Sequence, residues 1–253
     1  MKQLNWCWRL LATAFSFVLF ALGALLLAIL LAPLIRLLPW PEQRRRQLAR
    51  RSIQRWVRFY VWIMCTLGLL TVEFEGEDAL SQSGVLVVAN HPTLLDAILL
   101  MAVMPNATFI MKAAMARNPF TCWIVSLAGY IPNDEVGVEL VEKAAAALRS
   151  GETLMIFPEG TRTDGDELKL KRGAANIALA AACPLLPVVI DCQPMTLRKG
   201  EPWYHIPPAK PHFSLRVLPL IALDEVVDKS QPPGLQARTL TAALRDVLQG
   251  RQG

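Results

Sequence analysis

Short apolar runs that alternate with helical patterns, two polar motifs that each leave the end of such a run, and a long charge-free N-terminal stretch predict an α/β fold. The expected architecture is a mostly parallel mixed sheet covered by helices, preceded by an N-terminal membrane helix and a basic amphipathic helix. With 253 residues, the chain suffices for one α/β domain and a short appendage. Residues 1–70 are expected to form the membrane-anchoring segment and 71–253 the α/β domain.

Leu10 to Ile35 carries no charge and is bounded by Arg9 and Arg36. At about 1.5 Å per residue, an apolar helix over 10–35 exceeds the roughly 30 Å of a hydrocarbon core. A cleaved signal peptide fits less well, because its apolar run is usually about 7 to 15 residues and ends in a small-x-small site that is lacking here. Gly23 and Pro33 leave room for a bent or in-plane insertion.

After Pro39-Trp40-Pro41, Arg44, Arg45, Arg46, Arg50, Arg51, Arg55 and Arg58 interleave with Leu48, Ile53, Trp56, Phe59 and Tyr60. This is the pattern of a basic amphipathic helix over 42–60; the apolar run Val61 to Val72 that follows is short for a second span. The formal charge of +5 hides two unlike parts. Residues 1–60 hold ten Lys or Arg against the single Glu42, and the remainder holds sixteen against twenty acids. Basicity confined to the anchor suits an anionic membrane surface and argues against nucleic acid as a partner. Eight arginines follow the first apolar run through Arg58, so the positive-inside bias predicts a cytoplasmic (inner) membrane location with the α/β domain facing the cytoplasm.

Beyond Thr71, strands are expected at Val85 to Val88, Thr108 to Met111, Thr153 to Phe157, Leu186 to Ile190 and Phe213 to Leu218. Helices are expected at Leu94 to Met104, Pro119 to Leu127, Val138 to Arg149, Ala174 to Ala182 and Leu235 to Leu248. The proline-rich stretch Gln193 to Pro211, with Trp203, Tyr204 and His205, reads as a long loop lying over a site or on the membrane.

The first motif, Asn90-His91-Pro92-Thr93-Leu94-Leu95-Asp96, follows an apolar strand, where open α/β sheets bind ligands. A residue five positions beyond His91 can fold back within about one and a half helical turns, so His91 and Asp96 are a candidate general base and its orienting carboxylate. The second, Phe157-Pro158-Glu159-Gly160-Thr161-Arg162-Thr163, also follows a strand. Glu159 and Arg162 offer an acceptor beside a planar cationic fork, suited to a polar or phosphorylated head group. Lys171-Arg172-Gly173, before a helix start, adds a candidate anion site. His205 and His212 have no matching carboxylate pattern and read as structural or surface residues. There is no G-x-S-x-G elbow for a serine nucleophile, and three dispersed histidines give no metal site. Cys7, Cys65, Cys122, Cys183 and Cys192 have neither disulfide nor zinc spacing; a cysteine nucleophile at Cys183 or Cys192 is a competing reading that lacks a nearby base.

Together, N-H-P-T-L-L-D at 90–96 and F-P-E-G-T-R-T at 157–163 resemble the first and third sequence blocks of the glycerolipid acyltransferases, the lysophosphatidic acid acyltransferase-like superfamily. Leu186-Pro187-Val188-Val189 resembles the fourth block, and the likeness covers roughly residues 70–220. It implies transfer of an acyl chain from an acyl carrier protein or coenzyme A thioester to a hydroxyl of a lyso-lipid, with His91 as base and Asp96 its partner and without a cofactor. By the same likeness Glu159, Gly160, Thr161 and Arg162 bind the acceptor head group, and membrane lipids are partners. The second block departs from the family pattern: in Gly129-Tyr130-Ile131-Pro132-Asn133-Asp134-Glu135, Glu stands where a phosphate-binding Arg is expected. Arg162 and Lys171 can compensate, and Asn133 is a candidate for shaping the substrate site. A lyso-ornithine lipid, a glycolipid or a polyene-type carrier lipid then joins lysophosphatidic acid among the acceptors. A non-catalytic lipid-binding protein of the same fold is the alternative reading.

Overall fold

The computed structural model describes residues 2–118, 121–133, 137–163 and 168–250. Helix α1 (Lys2–Leu26) begins before the charge-free stretch, passes through a π-helical turn at Leu27–Leu31, and continues as α2 (Ala32–Leu37). The widened turn directly precedes Pro33, whose ring cannot follow an unbroken α-helical turn. One helix, Gln3–Leu37, is long and apolar enough to cross a membrane. Helix α3 spans Glu42–Thr66, so it extends past the expected 42–60 and absorbs the start of the second apolar run. Its buried face, Ala49, Ile53, Val57, Tyr60 and Met64, repeats at helical spacing, whereas Arg44, Arg51, Arg55 and Arg58 are exposed.

The strands are β1 (Thr71–Glu75), β2 (Leu86–Ala89), β3 (Thr108–Met111), β4 (Ile131–Pro132), β5 (Leu154–Ile156), β6 (Leu185–Gln193) and β7 (His212–Val217). They form one sheet in the order β1-β7-β6-β2-β5-β3-β4. All neighbours are parallel except β6 and β7, which makes the sheet mixed but mostly parallel. Helices α4 (Asp96–Val103), α5 (Ala113–Arg117), α6 (Cys122–Ala128), α7 (Val138–Arg149), α8 (Gly173–Ala181), α9 (Leu223–Val226) and α10 (Pro233–Leu248) cover it. The short strands β2 and β5 are buried throughout, as expected of central parallel strands covered on both faces.

Two apolar clusters sandwich the sheet. One joins Ala32 and Ile35 of α2 and Ala49 and Val57 of α3 to Val87, Leu99, Met155 and Phe213. The N-terminal helices therefore share a core with the sheet and are not a detached anchor. The buried Arg50 of α3 strengthens this join: Nε donates to Ala128 O at 2.7 Å, and the guanidinium pairs with Glu152 at 2.9 Å. The opposite cluster packs Leu86, Leu154 and Leu185 against α7, α8 and α10.

Candidate active site

Because β2 and β5 are parallel neighbours, their C-terminal ends deliver the two motifs side by side. Asn90, the first residue beyond β2, locks that end to β6: its Nδ2 donates to Ile190 O at 2.8 Å and its Oδ1 accepts from Ile190 N–H at 2.7 Å. His91 follows with its ring stacked on Phe157, centroids 4.1 Å apart. Its Nδ1 is 2.8 Å from Asp96 Oδ2.

Helix α4 starts at Asp96, two residues later than expected, because residues 91–95 form the turn that brings this carboxylate back. Asp96 Oδ2 also accepts from Thr93 N–H at 2.6 Å, and Thr93 Oγ1 donates to Asp96 Oδ1 at 2.6 Å. Thr93 Oγ1 also accepts from Leu95 N–H at 3.1 Å, so a local turn of Thr93 holds the carboxylate, although Thr93 was not among the expected site residues. Asp96 is fully buried. Burial pushes its carboxyl above the ordinary range, opposed by the hydrogen bonds from His91 and Thr93.

Glu159, expected at the head group, has its bonds within the protein. It is buried, with Oε1 accepting from His91 N–H at 2.8 Å and Oε2 from the Thr163 hydroxyl at 2.7 Å. Thr163 N–H donates in turn to His91 O at 2.8 Å. Both carboxylate oxygens thus join the two motifs. Burial raises its pKa as well, against the Thr163 and His91 hydrogen bonds.

Gly160 turns the chain outward at φ +70°, and the Lys171 ammonium sits where a side chain at 160 would begin, 2.9 Å from that Cβ position. Lys171 N–H donates to Pro158 O at 2.8 Å, which fixes this cation to the second motif. Thr161 is exposed beside it. Arg162 Nη1 donates to Leu197 O and Arg198 O, both at 3.0 Å, in the loop after β6. Asn133, by contrast, is exposed at the end of β4, three strands away from β2 or about 14 Å at usual strand spacing. The structure does not bring it to His91. Asp134 and Glu135 lie outside the described residues, as does Pro119 at the start of the expected helix that became α6.

A cleft of about 340 Å³ opens beside the base, lined by Asn90, Pro92, Thr163, Ile190, Asp191 and Arg198 among others. The chemistry available is general-base catalysis on a hydroxyl, by a histidine whose Nδ1 is held and whose Nε2 is left for a proton. A cysteine nucleophile gains no support from the structure: Cys183 and Cys192 are buried, and burial pushes their thiols up to about 11 and about 12. Among the described residues no three His, Cys, Asp or Glu converge as a metal site.

The family model described as Acyltransferase matches residues 71–191, which hold both motifs. The 1-acyl-sn-glycerol-3-phosphate acyltransferase of Cocos nucifera is 30% identical over 65% of this chain and 54% of its own. That of Saccharomyces cerevisiae is 28% identical over 57% of this chain and 51% of its own. A lyso-ornithine lipid O-acyltransferase of Pseudomonas aeruginosa is 33% identical, over 54% of each chain. The chain spans about half the length of these curated relatives. A crystal structure of the 1-acyl-sn-glycerophosphate acyltransferase from Thermotoga maritima superposes with a TM-score of 0.71 at 20% identity, covering 98% of both chains.

Proposed function

From the match of residues 71–191 to the Acyltransferase family model and the likeness to curated acyltransferases, we propose that the chain is a member of the glycerolipid acyltransferase superfamily that moves an acyl chain from an acyl thioester to a hydroxyl of a lyso-lipid at a membrane surface. The observation that carries this reading is the His91 Nδ1 to Asp96 contact of 2.8 Å at the joined strand ends. Asp96 holds the imidazole with Nε2 outward. Nε2 takes the acceptor hydroxyl proton as that oxygen attacks the thioester carbonyl carbon. Collapse of the tetrahedral adduct breaks the carbon–sulfur bond, and the departing thiolate recovers the proton from His91. The thioester is already activated, so positioning and a base suffice without a covalent enzyme intermediate.

The donor is an acyl carrier protein or coenzyme A thioester, and the acceptor is lysophosphatidic acid or another lyso-lipid such as a lyso-ornithine lipid. Arg162 and Lys171 supply the cations at the head group. The exposed face of α1, including Trp8, Leu11, Phe15, Val18 and Leu22, lies in the lipid. Its other face packs on the protein at both ends: Arg9 donates to Pro207 O and Ala209 O, and the continuation in α2 buries Ile35. A helix held so along its length lies along the cytoplasmic surface of the inner membrane rather than across it.

The test is release of free thiol by purified protein given acyl-coenzyme A or acyl carrier protein thioester with each lyso-lipid in turn, the product being identified by mass. His91→Ala abolishes release. Asp96→Asn, which presents an amide N–H to Nδ1 and forces the wrong tautomer, lowers kcat by about 10²- to 10⁴-fold. Unchanged turnover in His91→Ala would overturn the mechanism. Lipid binding without thiol release from any donor would favour a non-catalytic lipid-binding protein.

A further inference from the structure

The loop between β6 and β7, residues 194–211, is tied to the N-terminal helix at one end and to the motifs at the other. Arg9 of α1, buried, donates through Nη1 to Pro207 O at 2.8 Å and through Nη2 to Ala209 O at 3.0 Å. Phe17 of α1 meets the Trp203 ring with centroids 6.0 Å apart, and Trp203 meets Tyr204 edge-on at 5.8 Å. At the other end Leu197 O accepts from Arg162 and also from Leu94 N–H at 3.2 Å.

Despite this anchoring, Trp203 and Tyr204 are 43% and 59% exposed at the flank of α1. A protein that only needed the loop closed would gain by burying these rings. Tryptophan and tyrosine are the side chains that settle at a membrane–water boundary, with an apolar ring in the acyl region and a polar edge among head groups. The charges around them complement an anionic surface: Arg198, Lys199 and Lys210 are exposed in the same loop, against Glu201 as its single acid. The same helix that Trp203 meets through Phe17 also carries an exposed apolar face that includes Leu11 and Phe15.

We infer that Trp203 and Tyr204 form a second bilayer contact, in which the β6–β7 loop enters the head-group region of an anionic phospholipid membrane beside α1. This rests on the membrane-surface reading above and adds to it an element of the catalytic domain itself. The consequence is local: the segment that holds Arg162 lies at the depth where a lipid head group arrives, so the acceptor reaches the site without leaving the bilayer surface.

The experiment attaches an environment-sensitive fluorophore to the full chain at Tyr204→Cys or, separately, at Leu11→Cys, with the exposed Cys7 and the partly exposed Cys65 and Cys122 replaced by Ser. Each is mixed with anionic phospholipid vesicles carrying nitroxide at the head group or along the acyl chain. The expected result is a blue shift and quenching at both positions, with the label at 204 quenched more by the shallow nitroxide. A label at 11 that is quenched while that at 204 is not would overturn the loop contact and leave the α1 reading intact. Quenching at neither position would overturn both. As a second measurement, Trp203→Ser/Tyr204→Ser is expected to weaken vesicle binding about tenfold, with turnover of a water-soluble short-chain acceptor unchanged. Unaltered vesicle affinity in that variant would count against the proposal even if the labelled proteins failed to fold.

Discussion

Glu159 is the site residue whose partners the sequence foretold least. Its two oxygens hold the His91 N–H and the Thr163 hydroxyl, so its effect on catalysis passes through the base. Glu159→Ala leaves His91 N–H unpaired and is expected to lower kcat about 10- to 100-fold, matching the roughly 1.5–3 kcal/mol of a hydrogen bond to a charged group. Acceptor KM stays within about twofold, and Glu159→Gln, which keeps an acceptor oxygen, restores most of the rate. A head-group ligand would give the opposite split, with KM raised in both variants. The same residue sets a pH dependence. Burial raises the folded-state pKa above the ordinary glutamate value of 4.5, so between that value and the folded pKa the native state binds more protons than the unfolded chain. Its contribution to stability is present below that value and lost as pH rises through the folded pKa. The thermal midpoint should climb as pH falls through the folded pKa toward 4.5, less steeply in Glu159→Gln. The sequence identified His91, Asp96 and the Glu159–Arg162 turn because strand-end motifs of those residue types are legible locally. What Glu159 touches depends on which strands are neighbours, and the placement of β5 beside β2 is a property of the whole sheet.

Among the elements, the buried central strands were legible as apolar runs, whereas β1 and β4 were not. In β1, Thr71-Val72-Glu73-Phe74-Glu75 is a half-exposed edge strand with a weak alternation, and β4 has two residues. Length and composition alone left α1 undecided between a span and an in-plane helix. The packing supports the in-plane reading proposed above, since Trp8 Nε1 donates to Leu67 O at one end and Ala32 and Ile35 enter the domain core at the other. Trp56 packs against Gly23 midway, where any Cβ would overlap the indole. This makes a distinguishing experiment direct. With the five native cysteines replaced, single cysteines at Asn5 and at Leu37 should both react with a membrane-impermeant thiol reagent from the cytoplasmic face of sealed inverted vesicles. Labelling of one end from each side would mean that α1 crosses the bilayer and unpacks from the domain to do so.

For the molecule as a whole, charge and apolar surface are segregated together. The ten basic residues before position 61 stand against the single Glu42, while the rest of the chain is net acidic, and the exposed apolar stripe of α1 lies in the same N-terminal part of the chain. Arg44, Arg51, Arg55 and Arg58 share one exposed side of α3, and Phe59 and Trp62 are exposed near its end. On the proposed membrane-surface reading, this charge separation turns the N-terminal segment toward an anionic membrane as well as attracting it. Each arginine near an anionic surface contributes about 1 kcal/mol at physiological ionic strength, within a Debye length of about 8 Å. Replacing these four by Gln should therefore weaken binding to vesicles rich in anionic phospholipid by several kcal/mol, equivalent to about two to three powers of ten. Binding to wholly zwitterionic vesicles, which depends on the apolar stripe of α1, should change by less than about threefold. Raising the salt concentration should erode the difference between wild type and variant until the two curves meet. A variant that lost affinity equally for both kinds of vesicle would show instead that the arginines hold the helices in place, and the charge segregation would have no part in docking.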